Sequence, residues 1–284
     1  MRPMKSLAAV AVLAMSGALV VGCGSSGGSS SSSSAAPSSS AASPSAESSS
    51  AAPSSSSAAP AEPTTELEKV MADGVLKVST DPAYPPQSSY DEAKGTWEGF
   101  DIDVATEIAT RMGVSVDFQT PAWDVITAGN WNDRWDVSVG SMSITDERAQ
   151  VLDFSRPYYY TPAGLAVQEG SDITSIDQLS GKRIGVCGAC TYEYYMNRTL
   201  KIPGFDFQFL VPEDVEIVTY DTDTTGIQDL QLGRVDAVMS AEPTLQEAIK
   251  KGKKIQLLGD PVFLEPLAVA ADKSASLPPD TLIA

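Results

Sequence analysis

Histidine does not occur anywhere in the 284 residues. Its absence removes Ser-His-Asp and Cys-His nucleophile systems and nearly all zinc sites. Cysteine is almost as scarce, at three residues. Positive charge is thin as well: 19 Lys and Arg stand against 37 Asp and Glu, a net charge of −18. Such a balance argues against nucleic acid or an anionic lipid surface as a partner, and any anionic ligand needs a local cation. The apolar run from Leu7 to Leu19 is too short to span a bilayer comfortably.

That run nevertheless has an order. Arg2 and Lys5 precede it, small and apolar residues fill it, and Leu19-Val20-Val21-Gly22-Cys23 closes it. The arrangement resembles a bacterial lipoprotein signal. The resemblance implies cleavage after Gly22 and a lipid on the Cys23 thiol, hence a protein exported and anchored to the outer face of the cell membrane. From Gly24 to Thr65 the chain is almost wholly Ser, Ala, Pro and Gly, with Glu47 and Glu62 as its only charges. Nothing there offsets the entropy of ordering the backbone, so it reads as a flexible tether.

Beyond Glu66, short strand-like runs alternate with helical patterns, the mark of an α/β protein with largely parallel sheets. Val75 to Ser79 predicts a strand, Ile102 to Met112 a one-faced helix, Val114 to Gln119 a strand, Trp123 the start of a helix and Trp135 to Val139 a buried strand. Thr145 to Val151 reads as helical. A second series follows: strands at Arg183 to Val186, Val215 to Tyr220 and Asp236 to Met239, with helices at Thr191 to Leu200, Thr225 to Leu232 and Pro243 to Lys251. Two series suggest two lobes. The extended apolar segments Tyr160 to Val167 and Pro261 to Val269 are expected to cross between them as a hinge beside a ligand cleft.

The strongest local signal is Gly140-Ser141-Met142-Ser143-Ile144-Thr145-Asp146-Glu147-Arg148. Thr145 suits an N-cap, and Asp146 and Glu147 suit a helix's first turn, but Arg148 opposes the helix dipole. A residue that breaks a local rule is a functional candidate. Arg148 with the Ser141 and Ser143 hydroxyls would make an anion site; a surface arginine paired with Asp146 or Asp153 fits the pattern equally. Asp101 and Asp103 read better as an N-cap and a first-turn acid than as a metal or catalytic pair.

Taken in order, Leu76-Lys77-Val78-Ser79-Thr80-Asp81 with Tyr84-Pro85-Pro86, Gly99-Phe100-Asp101-Ile102-Asp103-Val104-Ala105, Ser143 to Arg148, and Gly233-Arg234-Val235-Asp236-Ala237-Val238 resemble the family 3 extracellular solute-binding proteins, the amino-acid receptors of ABC importers. The resemblance spans Leu76 to Ala271. It implies a two-lobed periplasmic-binding-protein-like α/β fold with an interlobe cleft, divided here as signal 1–22, lipidated cysteine and tether 23–65, lobe 1 at 66–162, lobe 2 at 163–265 and a return to lobe 1 at 266–284. It implies that Arg148 grips a ligand carboxylate with help from Gly140, Ser141 and Ser143, that Tyr84 and Trp123 wall the ligand, and that Thr191 binds it from the second lobe. It also implies a monomer that hands its ligand to a membrane permease and needs no cofactor, metal or nucleic acid.

The sequence departs from the family pattern in two places. The aspartate that usually meets the ligand ammonium is replaced by Ala241, leaving Glu242, Asp221 or Asp223 as substitutes. The sequence stops at Leu277-Pro278-Pro279-Asp280-Thr281-Leu282-Ile283-Ala284, which reads as a helix start cut short. Cys187-Gly188-Ala189-Cys190 between a strand and a helix also matches a thioredoxin-type arrangement; in an exported chain a disulfide stiffening the binding turn is the simpler reading. The competing function is an enzyme resembling cyclohexadienyl or arogenate dehydratases, with Glu242 or Asp223 as its acid.

The anchor is directly testable. Cys23→Ser should move the protein from the membrane fraction to the soluble fraction, and N-terminal mass spectrometry should find no lipid. A variant still held in membranes contradicts the assignment.

Overall fold

The computed structural model describes residues 65–275 and 277–282. Cys23, the expected signal at 1–22 and nearly all of the tether lie outside the described residues. The elements, in chain order, are α1 (Glu66–Asp73), β1 (Val75–Ser79), β2 (Ala83–Tyr84), β3 (Ser88–Asp91), β4 (Thr96–Glu98), α2 (Phe100–Met112), β5 (Ser115–Gln119), α3 (Trp123–Thr127), β6 (Val137–Ser143), β7 (Leu152–Phe154) and β8 (Tyr159–Gln168). They continue as β9 (Arg183–Cys187), α4 (Thr191–Met196), β10 (Glu216–Tyr220), α5 (Asp223–Gln231), β11 (Ala237–Ala241), α6 (Glu242–Lys250), β12 (Ile255–Leu257) and β13 (Phe263–Asp272).

Two parallel strand sets share one sheet, ordered β10-β9-β11-β8-β13-β6-β1-β5. β1 runs parallel to β5 and β6, and β9 runs parallel to β10 and β11. The two sets meet at an antiparallel pair. Tyr159 to Ala163 of β8 face Leu267 to Phe263 of β13; β8 then continues along β11, while β13 continues along β6. Each long strand therefore belongs half to one lobe and half to the other. The boundaries expected at 162/163 and 265/266 fall within this pair. β6 is buried along its whole length, as a strand covered on both faces must be.

Separate apolar clusters hold the lobes. Leu76, Val78, Ala105, Ile108, Val137 and Val139 pack in the first, and Leu165, Ile184, Val186, Tyr195 and Met239 in the second. Burying the Val, Leu, Ile and Met side chains among them contributes about 1.5–3 kcal/mol each.

The sequence-based expectations need correction at three elements. Thr145 to Val151 is not an α-helix. Only a 3-10 turn at Arg148–Gln150 forms, because the chain leaves at Leu152 to pair β7 with β13. The second-lobe helix expected to run to Leu200 ends at Met196, where the Thr199 and Leu200 N–H groups fold back onto the Tyr194 carbonyl. Asp101 is not an N-cap either. Gly99 takes that place without a side-chain cap, and the Phe100 and Asp101 N–H groups donate to the Pro86 and Gln87 carbonyls.

Gly99 is fixed by this contact. Its φ is 134°, and a Cβ there would lie 2.3 Å from the Gln87 carbonyl oxygen. Gly99→Ala should therefore cost about 3 kcal/mol of stability, combining a disfavoured φ with overpacking against backbone. Denaturant unfolding measures it, and a midpoint equal to that of the unsubstituted protein would refute the constraint.

Candidate functional site

A cavity lies against the β8/β13 junction. The first lobe supplies Gly140, Ser141 and Ser143 from the end of β6, Arg148 from the turn after it, Trp123 from the start of α3 and Tyr84 from β2. The second lobe contributes Cys187, Cys190, Thr191 and Tyr192 around the start of α4, and Asp221 and Asp223 at the β10–α5 junction. Asp81 and Glu265 complete the lining. Of the residues expected in the site, Tyr84, Trp123, Gly140, Ser141, Ser143, Arg148 and Thr191 are brought together here.

Glu242 is not. The chain turns into α6 at that residue, and its side chain lies over Gly164 of β8, where its Oε1 accepts from Gln246 Nε2 at 2.5 Å. Ala241, fully buried at the end of β11, faces Ala163 of β8. The alternatives Asp221 and Asp223 do line the cavity.

Arg148 is 2% exposed. Nη1 donates to the Ser143 carbonyl at 3.1 Å and Nη2 to the Ala189 carbonyl at 2.9 Å. Its guanidinium lies 5.3 Å from the centroid of the Trp123 ring and 5.9 Å from that of Tyr194. Nε makes no hydrogen bond, and no carboxylate among the described residues forms an ion pair with it. Burial pushes the guanidinium below its ordinary pKa, though an arginine stays charged. The helix dipole plays no part in placing it. Two carbonyls and two ring faces orient the group.

Sequence reasoning missed Glu265. This residue is 2% exposed; its Oε2 accepts from Thr191 Oγ1 at 2.6 Å and from Ser143 Oγ, and its Oε1 has no partner. Burial raises its pKa. The available signal was a carboxylate inside an apolar extended run, a costly placement without a purpose. Asp81 also lines the cavity, its pKa raised by burial. Asp223 is raised to about 7 by burial, and one of its oxygens is unpartnered.

Behind the cavity, Asp101 is fully buried and accepts from Ser141 Oγ at 2.7 Å and Tyr158 Oη at 2.6 Å. Tyr158 Oη also accepts the Ser141 N–H at 3.1 Å, and Tyr159 Oη lies 2.5 Å from Ser141 Oγ. This network holds Ser141 at φ 53°. Burial lifts the Asp101 carboxyl to about 7.

The lobes touch across the cleft. Tyr84 Oη meets Tyr192 Oη at 3.4 Å, Trp123 Nε1 donates to the Ala189 carbonyl at 3.2 Å, and Thr224 Oγ1 donates to the Ala83 carbonyl at 2.7 Å. One cation, Arg148, the acids Asp81, Asp221, Asp223 and Glu265, and the aromatic rings of Tyr84, Trp123 and Tyr192 line the cavity. No group of His, Cys, Asp and Glu suited to a metal ion occurs among the described residues.

Residues 76–255 match the family described as bacterial extracellular solute-binding proteins, family 3. The chain is 31% identical over 187 residues to the L-cystine-binding protein TcyJ of Escherichia coli (strain K12), covering 65% of either protein. It is 33% identical over 191 residues to the lysine/arginine/ornithine-binding periplasmic protein of the same strain, covering 66% of this chain and 69% of that protein. Among solved structures, holo ArgBP from T. maritima superposes with a TM-score of 0.66 at 26% identity, covering 76% of this chain and 89% of the other. The ancestral amino acid-binding protein AncCDT-1, a precursor of cyclohexadienyl dehydratase, superposes with a TM-score of 0.66 at 27% identity, covering 77% and 89%.

Proposed function

The chain belongs to the bacterial extracellular solute-binding proteins, family 3, and on that premise we propose that it captures an amino acid with a cationic side chain and delivers it to the permease of an ABC importer. One observation carries this reading: Arg148 is buried in the cavity wall with an unpartnered Nε and no ion pair to a carboxylate among the described residues. An uncompensated buried cation costs several kcal/mol, and a ligand carboxylate offsets that cost. Ser141, Ser143 and Thr191 are the hydroxyls beside it, with Tyr84 and Trp123 as the walls.

Glu265 takes the role of ammonium acceptor that Ala241 leaves empty. Its free Oε1 and the free Nε of Arg148 belong to side chains that both bond Ser143, so opposite charges flank one residue, as the two ends of an α-amino acid require. The remaining acids favour a further positive charge. Asp81, Asp221 and Asp223 line the cavity with Arg148 as its lone cation, and the wider cleft beyond Trp123 adds Asp124 and no Lys or Arg. Relatives named for lysine, arginine and ornithine agree with that preference. The lipid on Cys23 and the tether would hold this receptor outside the membrane.

An enzymatic reading rests on Asp223, whose carboxyl near 7 suits a general acid. Incubation with arogenate or prephenate separates the two; the receptor reading predicts no aromatic product.

Calorimetry tests the site. Arg148→Ala should weaken L-lysine or L-arginine binding by well over tenfold, since breaking a buried charge pair costs about 2–5 kcal/mol, and Arg148→Lys should restore little because the planar fork is lost. Glu265→Gln should weaken L-lysine while leaving 6-aminohexanoate, which lacks the α-ammonium, nearly unaffected. Unchanged binding in Arg148→Ala overturns the reading.

Binding should also depend on pH. Asp223 is raised to about 7 before the ligand enters, and a bound cation lowers it, so binding releases a proton. Affinity for L-lysine should fall as pH drops below about 7. An affinity constant from pH 8 to pH 5.5 would contradict the assignment of Asp223 to the cationic end.

A further inference from the structure

The Cys187–Cys190 disulfide joins residues whose Cα atoms are 5.5 Å apart, and both cysteines line the ligand cavity. Only Gly188 and Ala189 lie between them. Ala189 has φ 56°, a left-handed conformation that L-residues disfavour. Its carbonyl is the shared acceptor for Arg148 Nη2 at 2.9 Å and Trp123 Nε1 at 3.2 Å. Its N–H donates to Glu193 Oε2 at 2.7 Å, and the Gly188 N–H donates to the Tyr220 carbonyl at 2.9 Å. A single peptide group, held in an unfavourable conformation inside a short disulfide ring, thus orients the cation and one aromatic wall of the opposite lobe.

We propose that the Cys187–Cys190 disulfide is a redox-sensitive site that sets ligand affinity: reduction by an extracytoplasmic dithiol frees Ala189 and withdraws its carbonyl from Arg148 and Trp123. This rests on the assignment of Arg148 to the ligand carboxylate. In the exchange, a thiolate of the dithiol attacks one cysteine sulfur, the protein S–S bond breaks and a mixed disulfide forms. The second thiol of the reductant then displaces the protein sulfur. Two electrons and two protons pass from the dithiol, which leaves as a disulfide, to Cys187 and Cys190, which become thiols.

Access explains why ligand and reductant would compete. The cysteines line the cavity and are only 6% and 8% exposed, so a molecule filling the cavity shields them further. Linkage makes the effect reciprocal: if the disulfide tightens ligand binding by a given factor, the ligand makes the disulfide harder to reduce by that same factor.

The test uses the whole folded protein with L-lysine and L-arginine as probes. Their Kd is measured by calorimetry for the oxidised protein, for protein reduced with dithiothreitol, and for the Cys187→Ser/Cys190→Ser double variant, with far-UV circular dichroism on each. Reduced protein and double variant should keep the oxidised protein's spectrum and bind about tenfold more weakly. Saturating ligand should shift the dithiol concentration for half-reduction upward by the same factor. An unchanged Kd after reduction, an unprotected disulfide in the presence of ligand, or loss of secondary structure on reduction overturns the proposal. If the oxidised protein itself binds neither amino acid, the assignment of Arg148 falls, and this proposal with it.

Discussion

A guanidinium removed from water must find compensation or its burial opposes folding, and Arg148 finds only part of it. Two carbonyls accept from its terminal nitrogens and two aromatic faces lie over it, yet Nε is left with nothing to bond. Several other features of the cleft follow from this one cation. Ser143 presents its carbonyl to Arg148 and its hydroxyl to Glu265; Ala189 reaches across from the second lobe with a carbonyl in a left-handed loop; Trp123 lies over the guanidinium while bonding the same carbonyl. Hydrogen bonds to charged groups contribute about 1.5–3 kcal/mol each, so the cation draws the lobes together even before a ligand adds its own charge.

The fold makes that meeting possible through β8 and β13. Because each strand pairs with its partner at one end and with a different lobe at the other, the sheet is continuous while the helices and loops of the two lobes face each other across the cleft. Glu265 sits within that shared pair, opposite Thr161, and bonds Ser143 of one lobe and Thr191 of the other. A carboxylate at the junction is therefore sensitive both to the relative position of the lobes and to the charge of whatever fills the cavity. Asp101 has a quieter role on the far side of Ser141, fixing a residue whose backbone is left-handed.

Much of this was legible locally. The alternation of Val75 to Ser79 and the apolar face of α2 mark their elements because side-chain period and burial agree there. Arg148 was marked by its conflict with the pattern around it, although the α-helix that made it conflict does not form; pairing of Leu152–Phe154 with β13, more than a hundred residues away in sequence, prevails over the local cap. Glu265 and Glu242 exchanged expectations for the same kind of reason. Adjacency to Ala241 suggested Glu242, but the turn into α6 carries its side chain onto β8, whereas the pairing of β13 with β8 brings Glu265 to the cavity. No spacing along the chain reports which of two acids will be buried. Asp101 looked like a cap because caps are usually side chains; here carbonyls of Pro86 and Gln87 supply that function.

A crystal structure of the protein grown with L-lysine or L-arginine tests the account at its centre. The account predicts a ligand carboxylate oxygen within about 2.7–3.2 Å of Arg148 Nε, with the α-ammonium beside Glu265 Oε1. A ligand bound in the cleft with its carboxylate directed elsewhere, and Arg148 still facing only protein carbonyls, would contradict it.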